Sequence, residues 1–484
     1  MIRIEYQAFF KLPTLFIIIQ LVLSCSRFDL KQAEPEQLQT ASESNLDRIL
    51  QKGSLDVIID YNSVDYFIYR GQPMGFQYEM MDYFAKEMGL KLKIHVVESL
   101  DEAFSKLYNG KADIVAMGIT VTSERRRLFD FTDPLLITRQ VLVQKLPKDW
   151  RRISTRNELE TRLIRTSLEL AGKTIHVQAA SVFRKRLEVL ADEIGDTIMI
   201  IDDNRDVEEL IEAVSDGQIE FTVADEHMAL VLESFYDEID VRTPLSFPQK
   251  ISWAVGKEQN NELLLEINKW LAEFSVSVSG RMLYDKYFSG SRIISRRRSD
   301  YHSMTGGRLS PYDGIIRVVA GEIGWDWRLL ASLIYQESEF KPDVVSWAGA
   351  YGLMQLMPVV MEQFGIDSMA SPEDQIKVGG RFIQYLDLQI PESITEPEER
   401  IKFILASYNS GIGHVLDARR LAKKYNKNPD IWTDHVDFFM QNKSKPAFYR
   451  DPVVYYGYAR GEETHRFVVD VLERYSHYKN LIPD

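Results

Sequence analysis

The sequence predicts a chain of two unlike parts, an α/β region of two lobes in series followed by an all-α region. Three observations predict it. Between about 55 and 225, short apolar runs suited to strands alternate with helical stretches, and the pattern starts afresh near 174. From Pro311 onward the pattern is helical throughout. Between the two parts, residues 289–310 turn rich in Ser, Gly and Arg, the composition of a boundary. A length of 484 residues calls for more than one domain. With 45% hydrophobic and 27% charged residues the composition is globular. A net charge of -14 argues against nucleic acid, whose binding needs a basic footprint. It leaves a polysaccharide open, and 7 Trp and 23 Tyr supply rings for one.

In chain order, Lys11 precedes an apolar run over 12–23 that is too short and too early for a membrane span. The run ends in Val22-Leu-Ser-Cys25. Cys25 is the only cysteine, so no structural disulfide can form within the chain. A small residue just before a Cys at that point resembles a bacterial lipoprotein cleavage site. The resemblance implies a signal peptide over 1–25, a lipid on Cys25 and, with Ser26 where a retained lipoprotein has Asp, the periplasmic face of the outer membrane. A plain signal peptide with an incidental Cys is the alternative. Residues 26–45 are polar and Gln/Glu-rich, a tether.

The first lobe reads as a strand at 55–59, a helix at 78–88 stopped by Gly89, a strand at 91–97, a helix at 101–108 and a strand at 112–117. The second reads as strand 174–178, helix 182–190, strand 197–201, helix 207–214 and strand 221–224. Such alternation predicts parallel sheets, with a ligand cleft between the lobes where strand C-termini meet. This region, 46–288, resembles the periplasmic solute-binding proteins of the polar amino-acid type. The motifs are Gly75-Phe-Gln-Tyr-Glu79, Gly110-Lys-Ala-Asp113, Gly118-Ile-Thr-Val-Thr-Ser-Glu-Arg125 and Asp130-Phe-Thr-Asp-Pro134, then Gln178-Ala-Ala-Ser181, Asp216-Gly217 and Val223-Ala-Asp-Glu226. The resemblance implies that Arg125 clamps a ligand carboxylate with Thr120 and Gly118, that Ser181 adds a hydroxyl, and that Asp225 pairs with an amino group. A planar guanidinium suits a carboxylate and a fixed carboxylate suits an ammonium. Ala180 stands where the family has Gly. The alternative is an empty scaffold whose Arg125 pairs with surface acids.

The C-terminal region, 311–484, reads as helices at 312–321, 326–339, 358–364, 375–388, 398–409, 413–425 and 463–478. Leu330, Leu333, Ile334 and Glu337 share one face, so Glu337 is a carboxylate on an apolar surface, a setting that raises its pKa toward that of a general acid. Glu339 lies two residues on, roughly 200° around the helix, and is expected in solvent. By itself Glu337 reads better as a surface residue at a fraying helix end, where Glu is common. The downstream motifs change that. They are Gln336-Glu-Ser338, Ser346-Trp-Ala-Gly-Ala-Tyr-Gly-Leu-Met-Gln355-Leu-Met357-Pro358, Ala406-Ser-Tyr408-Asn409-Ser-Gly-Ile-Gly413 and Glu463-Thr-His-Arg-Phe467-Val468. Together they resemble the goose-lysozyme-like catalytic domain of lytic transglycosylases, an all-α lysozyme-like fold. The resemblance implies that Glu337 acts as acid and then base, that Ser338, Ser346, Gln355 and Met357 serve the sugar subsites, that Tyr408 and Asn409 flank the cleft, and that Glu463 helps to position it. It implies a peptidoglycan substrate cut at the MurNAc–GlcNAc bond with 1,6-anhydro ends. Phe467 replaces the family's Tyr and removes a hydroxyl. No His-Glu-x-x-His or other metal spacing occurs, and no cofactor is expected. Two other functions stay open: a muramidase that uses water, with Glu463 as second carboxylate, and a solute sensor with an inert catalytic domain.

Overall fold

The computed structural model describes residues 44–482, apart from 98, 180, 259–260, 289–300 and 304–306. The signal-like run and Cys25, the tether up to residue 43, and Ala180 lie outside the described residues. The first described element is helix Asn45–Lys52, where the Ser44 side chain accepts from the Asp47 backbone N–H and Gly53 closes the helix in the left-handed conformation.

The first lobe is built on β1 (Ser54–Ile59), β4 (Lys91–His95) and β5 (Ile114–Thr120), with the small hairpin β2 (Phe67–Tyr69) and β3 (Gln72–Met74) beside them. All six residues of β1 are buried, which is why that run is almost continuously apolar. The second lobe is built on β8 (Gln140–Lys145), β9 (Thr174–Gln178), β10 (Met199–Asp203), β11 (Phe221–Asp225) and β12 (Ile239–Pro244). The chain crosses to it from β6 (Phe129–Phe131) and β7 (Leu136–Thr138), and returns through β13 (Gln249–Gly256). The sheet orders are β4-β1-β5-β13-β6 and β10-β9-β11-β8-β12. Only part of each sheet is parallel. β13 runs antiparallel to β5, β6 and β7, and β8 antiparallel to β11 and β12. The all-parallel expectation is therefore corrected. β8 and β13 carry the two crossings, so each enters its new sheet from the side of the cleft and must run against its neighbour.

The C-terminal region is helical as expected. Helix Trp327–Ser338 packs along the long C-terminal helix Gly461–Leu481. The Ser332 hydroxyl donates to the Val471 carbonyl (2.6 Å), Arg474 donates to the Gln336 side chain (2.8 Å), and the Tyr475 hydroxyl donates to Asp326 (3.0 Å).

Two joints tie this region to the first lobe. Gly71, at the tip of the β2–β3 hairpin, receives a 2.6 Å hydrogen bond on its carbonyl from Tyr478. A Cβ there would lie 2.8 Å from Tyr335, Phe340 and Tyr478, and its φ of +78° also favours glycine. Around it, Tyr66 bonds His477 (2.6 Å) and Asn480 donates to the Ile94 carbonyl (3.0 Å). One apolar cluster runs through Phe67, Ile68, Phe340 and Tyr478. The described part of the boundary segment joins in as well: Ser303 N–H donates to Ile68 and Arg70 N–H to Tyr301, both at 2.9 Å, so 301–303 pairs beside the hairpin instead of lying in solvent.

Candidate active site and ligand cleft

Glu337 sits in the last turn of helix Trp327–Ser338, half-buried among apolar neighbours, and burial alone pushes its carboxyl up to about 8. Among the described residues no other carboxylate acts on it. Glu339 is the helix cap in the left-handed conformation, exposed and paired with Lys341. The expected division between a desolvated Glu337 and a solvated Glu339 is thus present.

The segment after the helix forms a tight loop held against Ser338 and Tyr408. Gly352 has φ +76°, and Gln355 is strained into the same region at +45°. Four side chains fix it. The buried Ser338 hydroxyl donates to Leu353 O (2.9 Å), the Tyr408 hydroxyl donates to Met354 O (2.6 Å), and Gln355 donates to Val344 O (3.0 Å) and Gly352 O (2.9 Å). The fourth is Gln375, whose carbonyl accepts from Leu353 N–H (2.7 Å) while its amide reaches Ala370 O (3.1 Å). Ser338 was expected to touch substrate. It is buried with both of its bonds made to backbone, so it orders the loop instead. Gln375 escaped the sequence reading because nothing local distinguishes it from other polar residues on a helix. Its one signal is a full set of buried amide bonds, which only the fold supplies.

Ser346 accepts from Ala350 N–H (2.9 Å), closing the turn that carries exposed Trp347. Met357 is 42% exposed, whereas Met354 is wholly core, so only the first can meet a sugar. Tyr408 is close enough to Glu337 for that charge, after burial, to push its phenol up. Asn409 is exposed and accepts from the Thr464 hydroxyl (2.8 Å). Glu463 stands 67% exposed in the first turn of the C-terminal helix, paired with Arg460 at 3.4 Å. Gly413 is small because the Tyr456 ring lies against it.

The second site is a cleft of about 330 Å³ between the two lobes. Gly118, Thr120, Arg125, Ser181 and Asp225 all line it. Arg125 donates to Thr120 O (3.0 Å) and lies 5.4 Å from the Phe104 ring. Ser181 Oγ and Asp225 Oδ1 are buried without a hydrogen-bond partner. Burial pushes Asp225 up to about 7. Asp60, Asp65, Asp206 and Glu208 line the same cleft and carried no signal in the sequence.

The family of bacterial extracellular solute-binding proteins, family 3, matches residues 55–290, and the transglycosylase SLT domain matches 315–431. A membrane-bound lytic murein transglycosylase F from Desulfosudis oleivorans is 32% identical over 435 residues, covering 90% of this chain and 92% of that one. The chain belongs to the membrane-bound lytic murein transglycosylase F family. A second member of the family, from Vibrio cholerae, is 31% identical over 443 residues, 91% of this chain and 82% of its own. One from Pseudomonas putida is 30% identical over 435 residues, with 89% and 86% covered. Among solved structures, an ancestral amino acid-binding protein is 24% identical, matching 51% of this chain and all of its own with a TM-score of 0.43. Membership of the transglycosylase F family makes the chain a lytic murein transglycosylase, and its substrate peptidoglycan. No helix among the described residues is long and apolar enough to cross a membrane.

Proposed function

We propose that the chain cleaves the MurNAc–GlcNAc β-1,4 bond and closes a 1,6-anhydro ring on MurNAc, with Glu337 as the one acid–base group. The observation that carries this reading is a carboxyl held up to about 8 by burial, with no second carboxylate among the described residues acting on it. Protonated Glu337 gives its proton to the glycosidic oxygen, and the bond to the anomeric carbon breaks. The substrate's N-acetyl oxygen shields the positive anomeric centre. Glu337, now a carboxylate, takes the proton of the same sugar's 6-hydroxyl, whose oxygen closes the ring. Water is neither added nor lost. A hydrolase needs a second, separated carboxylate for water, and exposed Glu463 is the sole candidate from the motifs. Ser346, Gln355, Met357, Tyr408 and Asn409 line the sugar path, while Glu463 shapes its rim. Mass spectrometry of digested peptidoglycan tests this. Anhydro ends are expected, reducing ends point to a muramidase, and no digestion at all to an inert sensor.

The second part of the reading is regulation. An amino-acid-like or peptide effector in the lobe cleft, its carboxylate on Arg125 and its ammonium on Asp225, shifts the activity of Glu337. The supporting contact is Gly71, which lies against Tyr335 and Phe340 on either side of the Glu337 turn, on a hairpin that follows the cleft residues Asn62 and Asp65. An effector must favour one state of the chain to shift anything. In Arg125→Ala, peptidoglycan turnover is expected to be the same with and without effector. Retention of the full response in that variant rules out the assigned clamp. Gly71→Val is expected to free the hairpin and break the response while effector binding, followed by calorimetry, persists.

The third part is anchoring by a lipid on Cys25 to the outer membrane. The motif supports it, and in Cys25→Ala the protein is expected in the soluble periplasmic fraction.

A further inference from the structure

Outside the chemistry at Glu337, the C-terminal region holds a groove of about 410 Å³. Ser444, Tyr458, Arg460, Glu462, Glu463 and Arg466 line it. Two contacts join the groove to the segments that carry the catalytic motifs. Thr464, next to Glu463, donates to Asn409 (2.8 Å). The Arg460 guanidinium lies 5.5 Å from the ring of Trp347, which stands exposed on the turn closed by Ser346.

The backbone that carries these side chains is held in place. Gly461 packs so closely on the Met440 carbonyl that a Cβ has no room, and Lys443, beside Ser444, is the buried partner of Asp417. The Tyr458 ring meets Tyr449 edge to face at 5.8 Å. A ligand therefore finds the groove already formed and loses little freedom of the protein on binding.

The lining carries charge of both signs. Arg460 and Glu463 stand 3.4 Å apart, Glu462 and Arg466 3.6 Å apart, and all four side chains are more than half exposed. Exposed pairs are weak, so each partner can turn to a ligand at little cost. The sugars of an intact peptidoglycan strand have no use for such a lining. They are uncharged, because the lactyl carboxyl of MurNAc is tied up in the amide bond to its stem peptide. The stem itself carries free carboxylates and the ammonium of a diamino residue. Guanidiniums and carboxylates side by side, with one aromatic ring and one hydroxyl, match a short peptide that bears both charges.

We propose that this groove takes the stem peptide of a MurNAc lying in the sugar path, its carboxylates on Arg460 and Arg466 and its ammonium on Glu462 and Glu463. The inference rests on the reading of Glu337 as the cleaving group and of Glu463 as the rim of the path, and it adds recognition of the peptide to recognition of the glycan.

The test compares two substrates with the full chain in detergent: uncrosslinked glycan strands that bear stem peptides, and the same strands after an amidase has removed them. KM for the peptide-bearing strands is expected to be at least about fivefold lower, with kcat within about twofold. Arg466→Gln and Glu462→Gln each remove one charge from an exposed side chain and leave the fold intact. Each is expected to raise KM for peptide-bearing strands about threefold, the scale of one exposed charge contact, and to leave KM for stripped strands within about twofold. Equal KM on both substrates in the parent shows a solvated charged face and overturns the inference. Variants that raise KM equally on both substrates show that the groove serves the sugars, and overturn it as well. Both results leave cleavage by Glu337 standing. No cleavage of either substrate by the folded parent overturns that reading and this inference together.

Discussion

Glu337→Gln is expected to lose at least about a hundredfold in turnover, and up to about ten-thousandfold, because both the proton donated to the leaving oxygen and the base that follows come from this group. The variant is also expected to be more stable than the parent at high pH. Burial raises the folded carboxyl from 4.5 to about 8. A group whose folded pKa is raised contributes stability that is fully present below its unfolded value and lost as pH rises through the folded one. An amide in its place has nothing to ionise. The two proteins should therefore converge in melting temperature below about pH 4, draw apart through pH 5 and be well separated by pH 8.5, with the variant higher. A wider gap at pH 5 than at pH 8.5 would contradict the assignment of a desolvated acid. Parent activity follows the same group, and turnover should fall as pH rises past about 8, when the proton to be donated is gone. An inactive but sturdier variant is the usual sign that a side chain is kept for chemistry at a cost to the fold.

That glutamate was legible through the downstream motifs more than through its own turn, although the turn shows the face it needs. Leu330, Leu333 and Ile334 set the face on which it lies, and all three are fully buried. Arg125, Ser181 and Asp225 were legible through motifs, and the structure gathers them into one cleft. What escaped lies far apart in the chain. The antiparallel placing of β8 and β13 follows from where the chain crosses between lobes, which strand-like composition does not record. The hairpin at Gly71 meets Tyr478 across more than 400 positions. Asp60 and Asp65 meet Asp206 and Glu208 only once two lobes are folded face to face. Gln375 reaches Leu353 from a helix whose periodicity marks its apolar face and says nothing about one buried amide. In each case the missing information is a tertiary contact that local propensity cannot carry.

The largest stability effect is expected at Asp417, another residue with no local signature. Asp417 and Lys443 form an ion pair at 2.6 Å with neither side chain exposed. Asp417 also accepts from Arg420 and from the backbone N–H groups of Tyr455 (2.8 Å) and Tyr456 (2.9 Å). Burial works to raise its pKa, but these donors outweigh it and hold the carboxyl below the usual carboxylate value. Its stability contribution is in place above that value and drains away as acid lowers the pH toward the folded one. Asp417→Ala leaves the Lys443 ammonium buried and unpaired, and a loss of about 3–5 kcal/mol is expected by denaturant unfolding. A loss under about 1 kcal/mol, the worth of an exposed pair, would show the pair to be solvated. Joining it to Lys443→Met should recover part of the loss, since an apolar pair can replace a buried ionic one. Recovery should stay incomplete, because two backbone donors and Arg420 remain without their acceptor. The same anchor fixes the loop that lays Tyr456 on Gly413 and leads, through Arg460, to Glu463 and the Thr464–Asn409 bond at the cleft. In Asp417→Ala molecules that stay folded, KM for peptidoglycan should therefore rise more than kcat falls. Glu337 sits on a different helix with its burial unchanged, and it is the sugar path that loosens.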